Sequence, residues 1–101
     1  MTTTTTDPEQ NEILRKAVLE HLATRHPTAH TAPAIRRRLE REVDFEPFLA
    51  DVEAALKFLA GMTPPLAKSE PDSVGSTAYW SATSEGVLAW ERSQTSASRF
   101  S

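Results

Sequence analysis

The eight residues Tyr79-Trp80-Ser81-Ala82-Thr83-Ser84-Glu85-Gly86 constrain the fold more than any other stretch of this chain. Alternation over residues 77–82 places Ala78, Trp80 and Ala82 on one face of a strand. Thr83 is a helix-capping residue type, and a final helix is expected from Ser84 to about Arg92, with Val87, Leu88 and Trp90 as its large apolar positions. A strand therefore runs into a capped helix with almost no loop between them. Whatever precedes it must supply a strand partner and a surface for Trp80.

What precedes it is helical in pattern. Asp7 can cap a first helix, Pro8 suits its first position, and Gln10 can close a capping box. Ile13, Leu14, Ala17, Val18 and Leu22 then recur at helical spacing until Pro27, which ends the helix at about His26. Thr31 caps a second helix, with Pro33 in its first turn and Ile35, Leu39 and Val43 as a narrow buried stripe. A third helix is expected from Asp44 or Glu46, with Pro47 in its first turn. Its apolar residues Phe45, Phe48, Leu49, Val52, Leu56 and Leu59 carry the strongest helical period in the chain. Gly61 stops it and Pro64-Pro65 prevents its continuation. Residues 66–69 suit a short first strand, and Pro71, Asp72, Ser73 and Gly75 mark a long turn before the second.

The 101 residues suit one domain with one modest core. The expected division is a disordered arm over residues 1–6, an ordered domain over 7–92 and a disordered polar tail over 93–101. Net charge is −3, so no global positive field draws the chain to nucleic acid, and any attraction must be local. There is no cysteine, which excludes disulfides and thiolate metal sites. No apolar run approaches the ~18–20 residues needed to cross a bilayer, and the threonine-rich start lacks the regions of a signal peptide. A soluble, cytoplasmic chain without membrane contact is expected.

Three helices, a hairpin and a short helix follow the order of a winged helix-turn-helix domain, a mainly α fold with a small β-hairpin (α+β). The stretch from Tyr79 to Gly86 resembles the end of the wing in winged-helix regulators, including those of the PadR type. There an aromatic strand runs into a small or aliphatic residue, then Thr, two polar residues and Gly. The likeness covers residues 8–92 as topology and eight positions as a motif. It implies a DNA-binding transcriptional regulator, with the third helix, residues 46–60, as the recognition helix and the hairpin tip as the wing; a homodimer is expected because two copies double weak phosphate contacts.

The residues themselves place the basic chemistry elsewhere. Once its apolar stripe is buried, the third helix shows Glu46, Pro47, Ala50, Asp51, Glu53, Ala54, Lys57 and Phe58. Lys57 is the one cation among three carboxylates, and no Arg, Asn or Gln is present to read base edges. Positive charge is concentrated on the second helix at Arg36, Arg37, Arg38 and Arg41. These four, with Lys57 and Lys68, are the candidate contacts to the phosphates of double-stranded DNA. The competing reading is a solvated face paired with its own glutamates, Arg36 with Glu40 and Arg38 with Glu42.

Ala50, Ala54 and Phe58 form a second ridge suited to a partner helix, from a second copy or another protein. That ridge supports an alternative function, a protein–protein interaction module with no direct DNA binding. His21, His26 and His30 invite a metal, yet a helix end and Pro27 separate them and no thiolate assists. Glu20 and His21 diverge by ~100° on a helix, and no Gly-rich phosphate loop occurs. No catalytic, metal or cofactor site is expected, and Trp80 and Trp90 are read as core.

Overall fold

The computed structural model describes residues 8–71, 75 and 77–99. They form α1 (Pro8–Thr24), α2 (Ala32–Leu39), α3 (Leu49–Ala60), β1 (Ala67–Pro71), β2 (Ala78–Ala82) and α4 (Ser84–Arg99). The expected cap Asp7 lies outside the described residues. Leu14, Val18 and Leu22 of α1 repeat every fourth residue and are fully buried, while Ile13 at the edge of that stripe is 44% exposed. Thr24 closes the helix by donating its hydroxyl to the Glu20 carbonyl at 2.7 Å.

Thr31 caps α2 as expected, its Oγ1 accepting from the Ala34 N–H at 3.3 Å. Ala32, Ile35 and Leu39 form the buried side of this helix. The helix ends at Leu39, so Val43 lies in the connection to α3 and not on α2.

The third helix starts later than its period suggests. Pro47 disfavours helical geometry at Glu46, and Phe48 is extended at φ −85° and ψ 150°. Arg36 Nε donates to the Pro47 carbonyl at 2.9 Å, which turns that carbonyl towards α2. Helix α3 therefore begins at Leu49. Phe48 and Leu49, expected in the buried stripe, are 60% and 38% exposed. Val52, Ala55, Leu56 and Leu59 carry the burial instead. Gly61 ends the helix, its N–H reaching the Lys57 carbonyl at 2.9 Å.

The two strands pair antiparallel, with Ala67 opposite Ala82, Ser69 opposite Trp80 and Pro71 opposite Ala78. The expected turn residues Asp72 and Ser73 lie outside the described residues. A third strand partner comes from the α1–α2 connection. His30 and Trp80 form an antiparallel bridge, the His30 N–H donating to the Trp80 carbonyl at 2.8 Å and the Trp80 N–H to the His30 carbonyl at 2.7 Å. Trp80 and Ala82 face the core as alternation requires, and Ser81 is buried as well.

The motif from Tyr79 to Gly86 is a joint. Thr83 Oγ1 accepts the Gly86 N–H at 3.0 Å, capping α4, and donates to the Pro65 carbonyl at 2.6 Å. The Thr83 N–H bonds the Leu66 carbonyl at 3.1 Å. A Cβ at position 86 would collide with the Leu66 carbonyl oxygen, so glycine lets α4 approach that backbone. Beyond it α4 continues past the expected end at Arg92 to Arg99. The tail, expected to be unordered from Ser93, is helical there, because nothing in Ser93-Gln94-Thr95-Ser96-Ala97-Ser98 breaks a helix as Pro or Gly would.

Candidate nucleic-acid interface

The four arginines of the expected basic patch do different things. Arg36 is bound to its own protein: besides the Pro47 carbonyl it pairs with Glu40 at 3.0 Å and lies 3.8 Å from Glu46. It brackets α2 to the segment leading into α3. Arg37, Arg38 and Arg41 are exposed, and among the described residues no ion pair joins Arg38 to Glu42. Three guanidiniums on and just beyond α2 thus reach solvent from a helix whose position is fixed by the fourth.

Arg25 is a further cation that sequence spacing did not single out. It follows α1, its Nη1 donating to Thr24 Oγ1 at 3.2 Å. Arg25 and Arg38 both act electrostatically on His21 and His30. Lys57 and Lys68 are exposed, on α3 and β1 respectively.

The outward side of α3 is apolar and acidic. Ala50, Glu53 and Ala54 are exposed, and Phe58 is 51% exposed. A groove of about 260 Å³ runs between α1 and α3, lined by Asn11, Leu14, Arg15, Asp51, Ala54, Ala55 and Phe58. The Arg15 guanidinium sits 4.1 Å from the centre of the Phe58 ring, a cation–π contact. The expected ridge is therefore one wall of a groove whose other wall is α1; Ala50 lies outside it.

Two of the three histidines meet. His21 is 2% exposed, and its ring packs edge-on against His30 with centroids 5.0 Å apart. Neither nitrogen of His21 nor Nε2 of His30 has a hydrogen-bond partner. Burial, then the charges of Arg25, His30 and Arg38, lowers the His21 pKa from 6.5 to about 4. Burial also lowers His30, with Arg25 and Arg38 adding to it. His26 stands apart, its Nδ1 3.1 Å from the Ala82 carbonyl. Among the described residues no three His, Asp or Glu side chains gather as a metal group. None of the described helices is long and apolar enough to cross a membrane.

Three packed helices, a hairpin against the α1–α2 connection and a helix capped directly after the second strand define a winged helix-turn-helix fold. Solved structures of ZitR from Lactococcus lactis share it. A double mutant of ZitR in apo form is 24% identical, with a TM-score of 0.65 over 91% of this chain and 62% of that one. A second structure of the same double mutant is 25% identical, with a TM-score of 0.62 over 82% of this chain and 50% of that one. A single mutant is 23% identical, with a TM-score of 0.62 over 86% and 53% of the two chains. This chain thus spans between half and two thirds of the length of the ZitR chains it matches. No family model matches the sequence, and no curated protein matches it.

Proposed function

We propose that this chain is a small winged-helix DNA-binding regulator that holds duplex phosphates through Arg37, Arg38 and Arg41, with Lys57 and Lys68 as outlying contacts. The observation that carries this reading is the division of labour on α2: Arg36 fixes the helix while, among the described residues, no ion pair or hydrogen bond engages the three exposed guanidiniums. Likeness to the ZitR structures supports a winged-helix regulator. The PadR-type affinity rests on the motif from Tyr79 to Gly86 alone. We assign the protein to the cytoplasm and to a homodimer, in which two copies of a weak phosphate grip act together.

Fluorescence anisotropy of a labelled duplex tests this. Three phosphate contacts give a log–log salt slope near −2.7 per copy, or about 40-fold weaker binding between 50 and 200 mM salt. Replacing Arg37, Arg38 and Arg41 by alanine should flatten that slope. An unchanged slope would remove the arginine assignment, and no duplex binding at ~50 mM salt would remove the DNA reading.

A second reading has its own observation. Phe58 is more than half exposed on the acidic, alanine-rich side of α3, and so is Phe48 just before that helix, which suits a protein partner better than a phosphate surface. Sedimentation of wild type against Phe58→Asp tests it for self-association: loss of association in the variant supports the ridge of Ala50, Ala54 and Phe58 as an interface between copies. A monomer in both excludes that interface.

A further inference from the structure

The contact between His21 and His30 ties three parts of the molecule together. His21 belongs to α1, His30 precedes α2, and the backbone of His30 is hydrogen-bonded in both directions to Trp80 of β2. The two rings meet at 5.0 Å with three buried nitrogens lacking partners. Such a contact is tolerable between neutral rings. A proton on His21 would place an unpaired charge in a buried site, a costly state.

The surroundings offer that charge no relief. Arg25, after α1, and Arg38, on α2, act on both rings, and both are positive. Strand β2 contributes no charged side chain, and its one titratable residue, Tyr79, is exposed. His26, on the same connection, directs its Nδ1 to the Ala82 carbonyl. The same positive surroundings oppose a metal cation between the rings. A protonated His21 is relieved by reaching water, and that requires the His30 segment to part from α1 and carry its bridge to Trp80 with it.

We propose that the His21–His30 contact is an acid-sensitive latch that holds the wing to α1 and releases it when His21 is protonated. The consequence for DNA rests on the function proposed above: a released wing no longer holds its place beside α2, and duplex affinity falls with pH.

Amide hydrogen exchange followed by NMR at pH 7.5 and pH 5 tests the latch. From His21 alone, held near 4 when closed and at 6.5 when open, the opening constant should rise about 30-fold at pH 5. Protection factors at the His30 and Trp80 amides should fall by that factor, with a smaller urea dependence than Leu56 of α3. The double variant His21→Leu/His30→Phe should show no such fall. Should it fail to fold, His21→Leu alone should reduce the change several-fold.

Unchanged wild-type protection at pH 5 would overturn the latch, as would a fall of undiminished size in the variants. So would exchange at His30 and Trp80 with the same free energy and urea dependence as Leu56, because the wing would then have no opening of its own. Duplex anisotropy on the same samples separates the two proposals. If no duplex binds at pH 7.5 the DNA reading fails, and the exchange data still decide the latch.

Discussion

Replacing Gly86 by alanine is the sharpest test of how the wing is joined to the last helix. The new Cβ would overlap the Leu66 carbonyl oxygen and lie 3.0 Å from its carbonyl carbon and 3.4 Å from its Cα. These are backbone atoms, so no side-chain rotation relieves the contact. Leu66 is held on both sides, its N–H on the Leu59 carbonyl at 2.9 Å and its carbonyl on the Thr83 N–H at 3.1 Å. Alanine brings back up to about 1 kcal/mol as a better helix former. Forced backbone shifts cost about 1–3 kcal/mol, and a weakened hydrogen bond adds about 1 kcal/mol. The net loss is about 2 kcal/mol, or a Tm lower by roughly 10 °C for a domain of this size. Gly75→Ala is the internal control, since no atom lies within 4 Å of a Cβ there, and its effect should stay within about 0.5 kcal/mol. Thermal and urea melts followed by circular dichroism compare the three proteins. If Gly86→Ala melts within about 2 °C of Gly75→Ala, the close approach of α4 to Leu66 is not a constraint on this fold.

The other predictions concern single groups. Thr83→Val should cost about 1–2 kcal/mol by urea denaturation through loss of the cap to Gly86 and the bond to Pro65, and Thr83→Ser should recover most of it. Arg36→Ala should cost about 1–3 kcal/mol for its bond to the Pro47 carbonyl, and Arg36→Lys should not restore the bracket, because a lysine lacks the second donor arm. The lowered His21 pKa means its contribution is present in full above pH 6.5 and is lost as pH falls towards 4. That loss is about 3 kcal/mol at most, read as the difference in pH dependence between wild type and His21→Leu. Leu56→Ala, at a fully buried α3 position, should cost about 2–5 kcal/mol.

The elements whose capping and periodicity agree were legible in the sequence. Thr31 and Thr83 cap where their neighbours suggest, and Trp80 with Ala82 takes the inward parity of its strand. The start of α3 was not legible, because Phe45, Phe48 and Leu49 continue the helical period while Pro47, buried and bonded to Arg36, decides the geometry. Period measures where apolar side chains recur and says nothing of a carbonyl drawn away by a distant guanidinium. The arginine cluster was legible as a charge patch, yet its division into one bracket and three exposed groups depends on the α2–α3 connection. The His21–His30 contact was invisible for a related reason. It arises where the chain turns back after α1, and no local spacing encodes that return.

The bonds around Leu66 also have a mechanical consequence. Leu59 near the end of α3 holds Leu66, Leu66 holds Thr83, and Thr83 starts α4. With Gly86 pressed against the same carbonyl, the two helices are geared together over very few atoms. A twist applied far along α4, by whatever grips it, would be delivered to the end of α3 as a displacement, because no slack segment lies between them.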